Sequence, residues 1–266
     1  MSDETAVQVA STDSARLPSR SGILKRSFDI LNAFRPGDVC VQPTELARRT
    51  GLSKATGHRI VQEMVNLGIL ERSDAGVRIG LRMFEIGQLV PLHSPLRVAA
   101  LPFLTDLAET TGGAMHLAVL EGNDVVYLEI VNPIKGLSSR PGGRLPAQAT
   151  AAGWAILAFS PPEVAARTLA NSPADRRGPG RRPTAEELAR VRTQRYARDP
   201  EGDREAVEAI AVPVLDLTGR SIAALSLLHP AGTQELRRFV PALQVAAKAL
   251  SRILHRHTVR HGDHIR

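Results

Sequence analysis

The side chains best placed to do chemistry together lie between positions 44 and 62. Ile60, Met64 and Leu67 recur at helical spacing, and at about 100° per residue they face one way while Lys54, Ala55, His58, Arg59 and Gln62 face the other. That outward set is small or hydrogen-bonding, with its charge near the helix start. Arg59 can take a guanine edge with both prongs of its guanidinium, worth about 1–3 kcal/mol of discrimination, and Gln62 can do the same for adenine. Lys54, Thr56 and Thr44 suit phosphate oxygens, contacts that position a protein on a duplex without reading its sequence. Ser53 and Arg26 complete the candidate contact set, and Arg78 is placed to reach an adjacent backbone or minor groove. Glu63 and Glu71 must lie away from phosphate. Taken alone, this helix is also what an amphipathic helix with a solvated basic face looks like.

The surrounding elements decide between those readings. Leu24, Phe28 and Leu31 follow at i, i+4 and i+7, the stripe of a first helix, which Arg35-Pro36-Gly37-Asp38 ends. Pro43 to Arg49 is a short second helix, closed by Thr50-Gly51-Leu52. Ser53 caps a third, running from Lys54 to about Leu67, and Gly68 stops it. Ile69 to Arg72 and Val77 to Ile79, around Ser73-Asp74-Ala75-Gly76, read as a β-hairpin. Helix, helix, tight turn, helix and hairpin is the order of a winged helix-turn-helix, whose second helix of the pair enters the major groove. Leu81, Phe84 and Leu89 mark a further helix before Pro91, and a linker with Pro91 and Pro95 follows, with helical character at 92–101.

Beyond residue 98 the texture changes. A helix at 102–111 leads to strands at 115–120 and 125–131 around a turn at 121–124. An Ala-rich helix at 151–160, helices at 162–171 and 184–195, and a strand pair at 209–216 and 221–229 follow, closed by a long helix from about Thr233 to Leu254. Interleaved strands and helices with hairpin connections imply an α+β domain with a mainly antiparallel sheet. The organisation expected is an arm without order at 1–20, a DNA-binding winged helix at 21–82, a linker helix at 83–97, an effector and oligomerisation domain at 98–256, and a basic His-rich tail at 257–266. Residues 175–183 form an exposed basic loop.

The 266 residues are 43% hydrophobic and 23% charged, an ordinary globular balance, but only 3% aromatic, so the interior must rest on Leu, Ile, Val and Ala. The net charge of +7 suits a polyanionic partner, since fixed cations attract phosphate and release its counterions. No apolar run approaches the roughly 18 residues of a membrane span, and the start lacks the apolar middle of a secretory signal; a cytoplasmic protein is expected. Cys40 is the single cysteine, which excludes an internal disulfide. The chain lacks a Gly-rich phosphate loop, a Gly-x-Ser-x-Gly elbow and a His-Glu-x-x-His pair, so neither catalysis nor a cofactor is expected. Asp199 and Glu201 read as solvated loop carboxylates, and His116, on an expected strand, either as facing the effector pocket or, more commonly for such a residue, as a satisfied core or surface histidine. His255, His257, His261 and His264, interspersed with arginines, read as a solvated tail rather than a metal site.

A second constellation lies at 150–152. Thr150 precedes the helix that begins near Ala151, and free N–H groups at a helix N-terminus favour a carboxylate. An organic acid held at Thr150, Ala151 and Ala152, its apolar body against the sheet, is one reading. The other is that the alanines only let helix and sheet pack closely.

Thr44-Glu45-Leu46-Ala47, Gly51-Leu52-Ser53-Lys54-Ala55-Thr56 and His58-Arg59 resemble the isocitrate lyase regulator (IclR) family of bacterial transcription factors. Val77-Arg78-Ile79-Gly80, Gly142-Gly143-Arg144-Leu145-Pro146, Ala149 to Gly153, Ile210 to Val214 and Ala223 to Ser226 continue the likeness in order over about 21–254. The resemblance implies a winged helix, a linker helix and a C-terminal effector domain with a GAF/profilin-like α/β sheet. It also implies a homodimer or tetramer on a pseudo-palindromic operator, and a small organic acid or related metabolite as effector. By motif position the family's ligand pocket falls on Ala151, Ala152, Asp199, Ala209, Ser226 and Leu228. Gln148 stands where the family often has His, Trp154 where it often has Lys, Ala206 for a usual Gly, and Leu228 where some members have Ser, which implies a less polar, reshaped pocket. Gly57 is unusual inside a recognition helix, at a cost of about 1 kcal/mol relative to Ala. The competing function is a small-molecule-binding or enzyme domain carrying a helical module that binds no DNA.

Overall fold

The computed structural model describes residues 22–90, 93–135, 137, 139–170, 182–198, 207–232 and 235–262, the last six and 93–94 by backbone alone. The arm expected at 1–20, most of the basic loop at 175–183, Asp199, Ala206 and the side chains of the 257–266 tail lie outside the described residues. The chain divides into two compact units between Leu89 and Val90.

In the first unit, α1 spans Ile23–Asn32, α2 Pro43–Thr50 and α3 Lys54–Asn66; β1 (Leu70–Ser73) and β2 (Gly76–Ile79) follow, then α4 (Leu81–Gln88). Pro43 opens α2 at its first turn, where a missing N–H costs nothing. Gly51 ends it in the left-handed region (φ 68°), the conformation that turns the chain sharply toward α3 and that a β-carbon disfavours. The hairpin is antiparallel with Glu71 opposite Arg78, and an isolated bridge joins Val41 to Val77. Ile30, Leu46, Ile60, Val61, Met64, Leu70 and Val77 make the core. Two sequence expectations change here. The stripe of α1 does not bury Leu24 and Phe28; Ile30 is buried, with Leu31 and Phe34 packed against the same cluster. On α3, Val61 takes the inward place expected of Leu67, which is half exposed at the helix C-cap.

The second unit is an α+β domain. Its elements are α5 (His93–Thr111), β3 (Ala114–Glu121), β4 (Asp124–Val131), β5 (Arg144–Pro146), a 3-10 turn at Ala147–Ala149, α6 (Ala151–Ala158), α7 (Pro162–Ala170), α8 (Ala185–Gln194), β6 (Ala197–Arg198), β7 (Val207–Leu215), β8 (Ser221–Pro230), a 3-10 turn at Leu236–Phe239 and α9 (Val240–Gly262). The sheet runs β5-β4-β3-β8-β7-β6, antiparallel at every junction. Strand alternation sorts the side chains. Met115, Leu117, Ile210, Leu225 and Leu227 meet α5 and α9 on one face, while Ala118, Tyr127, Ala209, Ala211 and Ala224 meet α6 and α8 on the other. The small residues of that second face let α6 lie close.

The helix read from residue 102 extends back to His93 with Pro102 inside it. Leu96, Ala100, Leu104, Leu107 and Ala108 are all buried along it, and that packing outweighs the lost hydrogen bond of an internal proline. The long last helix starts at Val240 behind a 3-10 turn, later than the expected Thr233. The edge strands β5 and β6 are too short to show a period in sequence.

Candidate nucleic-acid and effector sites

Helix α3 is the element that presents the first constellation. Ser53 caps it: its hydroxyl accepts from the Thr56 N–H at 3.3 Å and donates to Thr56 Oγ1 at 2.9 Å, so these two hydroxyls fix the helix start. Lys54, Ala55, His58 and Arg59 are exposed on the first two turns. Thr44 is exposed in the first turn of α2, and Arg26 is half-buried on α1. Gly57 explains itself in the helix crossing, where a β-carbon would come within 2.6 Å of Ala47 Cβ on α2. The glycine that weakens α3 in isolation is what lets α2 and α3 close on each other.

Most nearby cations are already engaged. Arg48 donates two hydrogen bonds to Glu45, at 2.7 and 2.8 Å. Arg49 bonds Glu45 at 2.8 Å and Asp38 at 2.5 Å. These partners hold the Glu45 carboxyl down to about 2, Arg48 foremost and Arg49 next. Arg78 pairs with Glu71 at 2.9–3.0 Å across the hairpin, and Glu71 also accepts from the Leu81 N–H at 2.9 Å. Gln62 donates to Asn66 Oδ1 at 2.9 Å and accepts from Arg72, tying α3 to the wing. Lys54, His58 and Arg59 have no hydrogen-bond or ion-pair partner among the described residues. Sequence reasoning missed the engagement of Gln62 and Arg78, because their partners come from a neighbouring strand.

In the second unit, Thr150 Oγ1 accepts from the Gly153 N–H at 3.0 Å at the start of α6. The N–H groups of Ala151 and Ala152 fall in the turn where helices have no internal acceptor. Ala209 lies opposite Leu228, and Ala211 opposite Ser226, which puts Ala209, Ser226 and Leu228 on the sheet face beneath α6. His116 is registered against Ser226 from β3 and shares that face with Ala118. Its ring meets Tyr127 edge to face, centroids 5.0 Å apart. Burial pushes the imidazole down to about 4, so it is neutral near pH 7, with one donor and one acceptor nitrogen. Among the described residues neither ring nitrogen has a partner, and neither has Gln148 Oε1, in the turn that leads into α6. Strand alternation could have placed His116 on a face, but spacing does not say that the face offers its ring no partner. Among the described residues no group of three or more His, Cys, Asp or Glu could hold a metal ion, and no helix is long and apolar enough to cross a membrane.

Residues 23–74 match the IclR helix-turn-helix domain, and residues 88–252 the bacterial transcriptional regulator IclR C-terminal domain. The HTH-type transcriptional regulator XynR of Escherichia coli is 32% identical over 256 residues, covering 87% of this chain and 96% of the relative. An IclR homolog from Microbacterium hydrocarbonoxydans, solved in complex with 4-hydroxybenzoate, superposes with a TM-score of 0.77 at 32% identity, covering 88% of this chain and 99% of that one. The Thermotoga maritima IclR superposes with a TM-score of 0.69 at 25% identity, over 86% and 97% of the two chains.

Proposed function

The chain belongs to the IclR family of bacterial transcriptional regulators, and from that membership we propose how its own residues divide the work of a ligand-controlled DNA-binding protein. It is a regulator and not an enzyme: a helix-turn-helix domain binds DNA and a C-terminal domain takes a small-molecule effector. In our reading 21–82 carries the DNA-binding unit, 83–97 the linker and 98–256 the effector and self-association unit, in a cytoplasmic protein.

One observation carries the DNA reading at residue level. Lys54, His58 and Arg59 stand exposed on α3 with no partner among the described residues, while Arg48, Arg49 and Arg78 beside them are held by carboxylates. Arg59 reads a base edge and Lys54 a phosphate. Two recognition helices in a symmetric homo-oligomer fit a pseudo-palindromic operator. The exposed Leu24 and Phe28 of α1 and Leu81, Phe84 and Leu89 of α4 supply apolar surface of the kind that marks a protein interface. Gel-shift titration against DNA upstream of the neighbouring genes, at several salt concentrations, tests this. A specific complex should weaken steeply with salt, by about 0.9 in log K per log salt for each phosphate contact; a chain that retards no fragment overturns it.

For the effector, the reading is an organic acid whose carboxylate meets the N–H groups of Ala151 and Ala152 beside Thr150, its body lying over Ala209, Ser226 and Leu228, with Asp199 the remaining contact that the family pattern implies. The neighbour with 4-hydroxybenzoate makes aryl carboxylates the first to try. Effector binding shifts operator affinity only through unequal affinity for the two arrangements of the protein. Titration calorimetry of the full chain with aryl and short-chain carboxylates should show binding that a Thr150→Trp, Ala151→Leu double variant loses by 10-fold or more. Equal affinity in the variant removes this site.

A further inference from the structure

We propose that His116 is a specificity-determining residue of the effector domain, and that it selects an effector carrying an uncharged hydroxyl in addition to its acid group. The inference rests on the reading that the effector binds between α6 and the sheet.

His116 is 1% exposed and Gln148 3%, yet both ring nitrogens and Gln148 Oε1 lack a partner among the described residues. A buried donor or acceptor left unpaired carries its full desolvation penalty, and folded proteins keep few of them. Position 116 shows no need for an imidazole as packing: the face it shares with Ala118 is otherwise mostly apolar, with Ala209, Ala211 and Ala224 on it, and the Tyr127 contact would serve a phenyl ring equally well. The unpaired atoms also specify their complement. A neutral imidazole offers one N–H and one lone pair, and the Gln148 oxygen only accepts. A carboxylate, which accepts and cannot donate, answers the single N–H and leaves the other two atoms unpaired. A hydroxyl can accept from the ring N–H or donate to the ring lone pair, so it answers whichever nitrogen of His116 faces it. The acid group therefore belongs at the start of α6 and the hydroxyl at His116, whose ring plane the edge-to-face contact with Tyr127 holds in place.

Calorimetry on the full-length protein with two matched pairs, 4-hydroxybenzoate against benzoate and 3-hydroxybutyrate against butyrate, tests this. A site built to bond a hydroxyl discriminates strongly against the analogue lacking it, so the wild type should prefer the hydroxylated member of at least one pair by 10-fold or more. His116→Phe should erase that preference while changing affinity for the deoxy member less than about 3-fold. Its unliganded Tm should equal or exceed that of the wild type, since the variant removes unpaired polar atoms. Equal affinity within both pairs, binding of none of the four, a preference that survives in His116→Phe, or a Tm several degrees lower in that variant overturns the proposal. The Thr150, Ala151 double variant separates the two levels: if it blocks all binding and no hydroxyl preference exists, the pocket stands and the role of His116 falls.

Discussion

Arg59→Ala should weaken the specific operator complex by about 5- to 150-fold, the equivalent of about 1–3 kcal/mol for one two-pronged base contact, and should change binding to unrelated DNA only a few-fold. The expectation follows from what Arg59 is not doing in the free protein. It carries no intramolecular partner among the described residues, so its removal costs the fold nothing and its effect is confined to the complex. Lys54→Ala is the matched control. A phosphate contact contributes alike to every sequence, so its loss should weaken all fragments together and reduce the salt slope by about 1. Competition gel shifts with the operator and a scrambled fragment, at two or more salt concentrations, separate these outcomes. If Arg59→Ala lowers affinity for both fragments by the same factor, Arg59 is a phosphate contact and α3 does not read sequence through it.

The contrast between Arg59 and its neighbours also shows where sequence reasoning stops. The winged helix could be read because each of its signals is local: Ser53 and Thr56 three residues apart, Gly51 in a turn that needs a left-handed residue, a Gly-bearing hairpin of four-residue strands. The antiparallel sheet of the second unit followed from alternating apolar runs joined by short turns. What escaped depends on partners distant in the chain. Arg78 looked like a free wing cation until register put Glu71 across from it, and Gln62 looked like a base reader until Arg72 reached it from the hairpin. Leu24 and Phe28 have perfect helical spacing, but spacing names an apolar stripe without naming what covers it, and the first unit's own core takes Ile30 instead. Gly57 looked like a defect on helix propensity alone; the Ala47 contact that requires it lies on another helix. His116 is the sharpest case, since a histidine on an alternating strand is ordinary and what sets it apart is that its ring nitrogens find no partner among the described residues.

Gly153→Ala should destabilise the second unit by about 3 kcal/mol or more, although alanine is the better helix former by roughly 1 kcal/mol. A β-carbon at this position would sit 1.9 Å from the Ala147 carbonyl oxygen, 2.5 Å from its carbon and 2.6 Å from Ala147 Cα. These are backbone atoms, with no flexible side chain to swing away, so the cost belongs at or beyond the top of the 1–3 kcal/mol usual for overpacking. The turn cannot yield easily. The Ala147 N–H donates to the Asn123 carbonyl at 3.0 Å, which pins it to the β3–β4 turn, and Trp154 Nε1 donates to the Gln148 carbonyl at 2.7 Å from the helix side. For a domain of this size each kcal/mol moves Tm by about 2–4 °C, so thermal unfolding should fall by roughly 6–12 °C. The same turn aims the N–H groups of Ala151 and Ala152, so effector affinity measured well below the lowered Tm should drop as well. A variant that melts with the wild type would mean the 147–153 turn can open by more than an ångström at little cost, and the rigid acid-binding helix start proposed at α6 would lose its physical basis.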